Sequence, residues 1–162
     1  MRHRVLMVGA VVFVLGVGAA GAQAPAPAGH TALTPVELKW GPPPPALPAG
    51  SEVAVLEGDP GKEGPFVIRV KFPAGYTIQP HWHPNDEHVT VLHGELQFGM
   101  GEKFDASALR NFPVGSFIVA QKEMRHFARA KGATTIQVHG MGPFTLTYVN
   151  AADDPRNKKP TQ

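Results

Sequence analysis

The chain has 162 residues, with 15 Lys or Arg, 13 Asp or Glu and no Cys. That length suits one domain, and a net charge of +2 is too small for a nucleic-acid footprint, so no nucleic-acid partner is expected. The missing Cys excludes thiol catalysis, disulfides, iron–sulfur clusters and Cys-ligated zinc, while 18 Gly and 17 Pro imply many turns and favour an all-β fold.

Arg2 and Arg4 precede the uncharged run Val5–Ala20, which ends in Ala20-Gly21-Ala22. A basic start, an apolar middle and small residues at −3 and −1 make the layout of a signal peptide, so cleavage is expected after Ala22. The apolar run is shorter than the roughly 20 residues of a spanning helix, so no stable membrane insertion is expected after cleavage. Cleavage removes two Arg and no acid, which leaves 13 basic residues facing 13 acidic ones. The expectation is a near-neutral periplasmic or secreted protein.

Residues 23–50 read as a Pro/Ala-rich N-terminal arm. Within it Gly41–Gly50, GPPPPALPAG, is expected to be extended and polyproline-like, with Leu38 and Trp40 as apolar anchors. The arm either lies across the domain or a partner subunit, or is a loose spacer. The folded domain is expected over residues 51–150. Val53–Leu56 reads as a strand. Phe66–Phe72 alternates, with Phe66, Ile68, Val70 and Phe72 on one face and Arg69 and Lys71 on the other. Tyr76–His83 is a short strand interrupted by Pro80, and Glu87–Leu92 and Glu95–Met100 flank Gly94. Asp105–Arg110 reads as one short helical turn capped by Asp105. Phe117–Ala120, Arg125–Ala130, Thr134–His139 and Phe144–Val149 complete the strands. The polar run of residues 151–162 is expected to fray. Many short strands with turns between them predict a β-sandwich or a barrel.

His81 and His83 are two apart, so a strand puts both imidazoles on one face. Glu87 follows four residues later, and His126 opens a later strand. Three neutral imidazoles and a carboxylate suit a single divalent transition metal, with positions left for water, substrate or dioxygen. By itself a His-x-His pair is more often a surface pair than a ligand pair, and the residues around this one carry the argument further.

The run from Gly75 to Gly94 matches G-x5-H-x-H-x3-E-x6-G through Gly75, His81, His83, Glu87 and Gly94. In this the chain resembles the cupin superfamily of RmlC-like jelly rolls. A second cupin motif, G-x5-P-x-G-x2-H-x3-N, keeps Gly115 and His126 but has Gln121, Glu123 and Ala130 at its Pro, Gly and Asn positions. The ligand is kept and the turn residues are lost. The segment His139–Arg156 also looks like that of secreted single-domain cupin type-2 proteins. The resemblance implies an all-β, double-stranded β-helix (jelly-roll) barrel with at most one short helix. It implies a metal at His81, His83, Glu87 and His126, one ion per chain, of Fe, Mn, Ni, Zn or Cu. It also implies a homodimer that pairs or swaps N-terminal strands, for which Leu33–Gly50 is long enough.

Around these residues, alternation points His88 away from the metal, as a structural or surface residue or else a proton shuttle. An apolar lining of Ile136 and Val138 leaves His139 outside. Trp82 is expected opposite the ligands, on the outer sheet or an interface. Gln79, Gln97, Met100 and Phe117 are candidate pocket residues. Phe104 and Phe112 are expected to seat the helical turn. No second pair of carboxylates supports glycoside hydrolysis, and no Ser lies in a G-x-S-x-G elbow. The readings left are a metal-dependent oxygenase on a small organic substrate, a non-redox isomerase or lyase, and a non-catalytic metal or small-ligand binding protein of the cell envelope. Catalytic residues beyond the metal set are not assigned.

Overall fold

The computed structural model describes residues 29–158; the expected leader over residues 1–22 lies outside the described residues, as do residues 23–28 of the arm and the last four of the tail. Period-2 alternation shapes the described chain into antiparallel strands. In chain order they are β1 (Glu52–Glu57), β2 (Gly64–Phe72), β3 (Thr77–Trp82), β4 (Glu87–His93) and β5 (Glu95–Met100), then β6 (Arg110–Pro113), β7 (Phe117–Ala120), β8 (His126–Ala130), β9 (Thr134–Gly142) and β10 (Thr147–Tyr148). They build two five-stranded sheets, β1-β2-β9-β4-β7 and β10-β3-β8-β5-β6.

The core lies between the sheets. Phe66, Val70 and Phe72 of β2 turn inward beside Val138 and Ile136 of β9, in a ladder running from Gly64↔Gly142 to Phe72↔Thr134. Ile78, Leu96, Phe98 and Ala128 of the second sheet meet them. Each such side chain contributes about 1.5–3 kcal/mol when fully buried. The β4–β5 turn needs Gly94: its φ is +74°, and a Cβ there would sit 2.3 Å from the Ala133 carbonyl oxygen.

Two expectations are corrected. The sheets do not close into a barrel. No ladder joins β1 or β7 of one sheet to β10 or β6 of the other. Between β1 and β10 the reason is the chain that crosses there. Gly41 makes an isolated bridge to Val53 of β1, and Tyr148 of β10 donates its hydroxyl to the Ala46 carbonyl at 2.9 Å. The prolines at 42–45 have no N–H and cannot extend either sheet. The result is an open jelly-roll sandwich with an arm across one side. Helix content is also corrected: among the described residues four single-turn 3-10 helices occur, at Pro35–Glu37, Ala106–Ala108, Ala151–Asp153 and Pro155–Asn157. Asp105, Asn150 and Asp154 each precede one and accept a backbone N–H from it, a local bond that competes well with extended structure.

Strand β6 is absent from the sequence-based expectation. Arg110 and Asn111 are polar and Pro113 ends it, a pattern tolerated because β6 is an edge strand paired only with β5. The arm over residues 41–50 is seated on its own domain. The Tyr76 hydroxyl donates to the Pro48 carbonyl, Leu47 packs against the core, and the Lys71 ammonium lies 3.8 Å above the Trp40 ring. Residues 151–158 are likewise anchored, with Arg156 donating to the Leu146 carbonyl at 3.1 Å. No helix among the described residues is long and apolar enough to cross a membrane.

Candidate metal centre

Pro80 sits inside β3 and has no N–H for its neighbour. Pairing with β8 slips between Ile78 and His81, as bulges next to functional sites do. The slip leaves Pro80 and His81 both buried, and His83 is buried two residues on. Trp82 between them faces outward under the Arg125 guanidinium, 5.6 Å away. His81 lies opposite His126 of β8 in register, with ring centroids 4.2 Å apart.

The loop from His83 to Glu87 is held from two sides. Asn85 donates its side-chain amide to the Pro143 carbonyl at 3.0 Å. The Asp86 carboxylate accepts the Lys122 N–H at 2.8 Å. The His83 carbonyl accepts the Glu123 N–H at 2.8 Å. Glu123 stands where the second cupin motif has Gly, and its φ is +61°. The turn therefore keeps the left-handed conformation that the motif's Gly serves, at a steric cost of about 1–2 kcal/mol for an L-residue. Losing the motif residue has not lost the turn.

Each imidazole is oriented through Nδ1, which faces a backbone carbonyl: Gln79 at 2.7 Å for His81, Thr145 at 2.8 Å for His83 and Met124 at 2.9 Å for His126. With Nδ1–H donating, each Nε2 carries a lone pair. One ring nitrogen from each of the three histidines lies within 4.8 Å of the others. The Glu87 carboxylate joins them, 3.4 Å from His126 Nε2 and 3.8 Å from His83 Nε2. Both of these nitrogens are buried and without a hydrogen-bond partner.

Burial pushes His81 well below its ordinary pKa, helped by the facing His126 and His83. Burial also lowers His83, against the pull of Glu87. For Glu87 burial works upward, but the opposing imidazoles of His83 and His126 outweigh it and hold the carboxyl at about 2. With Nδ1 of each ring tied to a carbonyl, the Nε2 atoms and the Glu87 carboxylate converge on one point. That arrangement is costly alone and is relieved by a cation among them. A three-histidine cluster suited to a single metal ion is present, and the donor set fits one.

His81, His83 and Glu87 form one wall of a cavity of about 680 Å³. Its other walls are largely apolar: Ile68, Val70 and Val138 from one sheet, Phe144 and Leu146 before β10, and the arm's Pro42–Leu47. His83 stacks on Phe144 at 4.2 Å and His126 on Phe98 at 5.0 Å. Gln79, Gln97, Met100 and Phe117 do not line it, and their assignment as pocket residues is corrected. Gln97 pairs with Asn111 and Arg129 on the outer face, and Phe117 and Met100 are exposed. Gln79 contributes only its carbonyl, to His81. Ile136 and Val138 do point inward, and His139 lies outside, stacked on His88 at 4.9 Å. Phe104 packs on Phe127 and Phe112 on Phe98, seating the Ala106–Ala108 turn. Missed in the sequence were Arg156 and the arm as lining; among the described residues Arg156 is the only Lys or Arg there. The Asx-type cap Asp154-Pro155-Arg156 was the available signal for an ordered tail.

Two antiparallel sheets face to face, with His-x-His, Glu and a late His at the end of one cavity, define a cupin-superfamily jelly-roll domain. Within that class the chain belongs to the ChrR cupin-like domain family, whose model matches residues 29–145. No curated protein matches the chain. Among solved structures, the polyketide cyclase RemF from Streptomyces resistomycificus superposes with a TM-score of 0.62 at 15% identity, over 78% of this chain and 90% of that one. A putative acetylacetone dioxygenase from Methylibium petroleiphilum gives 0.60 at 18% identity, over 82% and 90%. An uncharacterised double-stranded β-helix protein from Klebsiella pneumoniae gives 0.56 at 18% identity, over 78% and 98%. At these identities the likeness is one of fold.

Proposed function

We propose that the chain binds one divalent transition metal (Fe, Mn, Ni, Zn or Cu) through His81, His83, Glu87 and His126 and acts on a small organic molecule in the adjoining cavity, in an oxygenase-type reaction. The observation that carries this is the convergence of two buried, unpartnered Nε2 atoms and an ionised carboxylate. A bound ion would supply Lewis acidity and, where redox-active, electron transfer. The chain's own contribution is position and dryness. Backbone carbonyls fix the three imidazole tautomers, while Ile68, Val138 and Phe144 keep water from the substrate side. Among the described residues no acid or base other than the proposed ligands lines the cavity, apart from the permanently charged Arg156. That favours chemistry centred on the ion over a side-chain proton shuttle, and so ranks a non-redox isomerase or lyase lower. The same feature keeps a non-catalytic metal or small-ligand binding role as the second reading.

Elemental analysis of the purified protein, beside a His81→Ala/His83→Ala variant, tests the metal. Near-stoichiometric metal in the first and its loss in the second is expected. Equal metal in both, or none in either after loading, would overturn the assignment. Oxygen uptake across a panel of diketones, phenols and thiols then separates the readings: metal without uptake selects the binding role.

A further inference from the structure

Among the described residues Arg156 is the one Lys or Arg in the wall of an otherwise largely apolar cavity, and the metal cluster does not account for it. Its guanidinium is locked. Nε donates to Asp154 Oδ1 at 2.8 Å and Oδ2 at 3.1 Å, and Nη2 donates to Asp154 Oδ2 at 2.7 Å and to the Leu146 carbonyl at 3.1 Å. Nη1 has no hydrogen bond among the described residues. Asp154 itself does not line the cavity. A guanidinium held by a neighbouring carboxylate, with one nitrogen left over, has already lost the rotamer freedom that binding costs a free arginine. Anchoring the tail engages Nε and Nη2, and leaves Nη1 of this 44%-exposed side chain available to a ligand at the cavity wall.

We propose that Arg156 is a specificity-determining residue that receives the carboxylate of a small organic acid whose apolar body fills the cavity. This deepens the function proposed above by naming the substrate class, and it rests on that cavity being the binding site. An arginine accepts a carboxylate through charge-assisted hydrogen bonds, stronger than those to a neutral hydroxyl. The walls of Ile68, Val70, Val138 and Phe144 accept a hydrocarbon body but offer it no directional contact. Arg156 therefore sets which end of the ligand points away from the apolar wall.

The test is calorimetric titration of the full chain, as isolated, with octanoate and with octan-1-ol. Wild type is expected to bind octanoate about 10-fold or more tightly than the alcohol. Arg156→Gln is expected to erase that preference and leave the alcohol unchanged. Asp154→Asn keeps an Oδ1 acceptor for Arg156 N and Nε while removing the competing charge, and is expected to bind octanoate at least as tightly as wild type, a result that tail anchoring does not produce. Failure of wild type to bind octanoate, or to prefer it, overturns the inference. So does an equal loss of both probes in Arg156→Gln, or a loss of octanoate in Asp154→Asn matching that of Arg156→Gln. Metal content read on the same samples keeps the two proposals apart. Metal without octanoate preference sinks this inference alone, and octanoate preference without metal sinks the metal assignment alone.

Discussion

The molecule carries two groups of histidines within a few residues of each other, and only one is built as a ligand set. His81, His83 and His126 lie inside, each Nδ1 tied to a carbonyl, each ring turned toward a shared point with Glu87. His88 and His139 face each other across β4 and β9 on the outer surface, rings stacked at 4.9 Å with Phe117 beside them at 6.0 Å. Among the described residues the outer pair has neither a carbonyl partner for orientation nor a carboxylate to balance a cation. Histidine number and proximity are therefore poor guides to metal chemistry. The partner on the far ring nitrogen, the burial, and one acid decide it.

The largest effect expected is on metal affinity. His126→Ala removes a donor whose orphaned Nε2 faces Glu87 at 3.4 Å and should lower affinity by more than about 100-fold, beyond the cost of losing a mere supporting contact. His139→Ala should leave affinity unchanged. Chelator competition followed by elemental analysis checks both; metal lost equally from the two would place the ion between β4 and β9 and break the comparison.

The aromatic that supports each group sharpens it. Phe98 is buried and stacked on His126 at 5.0 Å, so Phe98→Ala should cost about 3–5 kcal/mol of stability and loosen the metal by roughly 10-fold. Phe117, beside the outer pair, is 55% exposed, and Phe117→Ala should stay within about 0.5 kcal/mol. Chemical denaturation of the two variants reads the difference, and similar losses would mean that the outer stack carries structural weight.

Spacing explains why the inner group was legible in the sequence and much around it was not. His81, His83 and Glu87 are brought together by one strand and one tight loop, so chain distance nearly dictates their meeting. His126 follows because β8 is the partner of β3. Arg156 and the proline arm reach the same cavity through contacts such as Tyr148 to Ala46, formed between residues at opposite ends of the domain. No periodicity encodes those. The failure to close a barrel has the same origin: the strands were readable one by one, but the gap between β1 and β10 depends on which chain lies in it. Gln97 was misplaced because parity along β5 was not tied to any anchor, whereas Phe98 packs inward on His126 and turns Gln97 out.

A smaller effect comes from the outer pair itself. His88 Nδ1 is buried without a hydrogen-bond partner, and an orphaned polar atom destabilises a fold by about 1–3 kcal/mol. His88→Phe keeps the stacking with His139 and removes the orphan, so a gain of about 1 kcal/mol is expected with metal content unchanged. A thermal melt with elemental analysis reads both quantities. A loss of stability would mean that the nitrogen is satisfied in solution, and a loss of metal would give His88 a part in the inner site.

The smallest expected effect concerns the turn that delivers His126. Glu123 holds φ at +61° and its side chain makes no hydrogen bond among the described residues, while its N–H binds the His83 carbonyl at 2.8 Å. Glu123→Gly relieves the left-handed strain of about 1–2 kcal/mol but frees the unfolded chain by about 0.4–1 kcal/mol. The net is a gain of about 0.5 kcal/mol, with metal affinity retained because the N–H that staples the turn to His83 is unchanged. Urea denaturation resolves a shift of that size when both proteins share one m-value. A loss of metal affinity in this variant would show that the glutamate side chain, and not the backbone conformation it adopts, holds His126 in place.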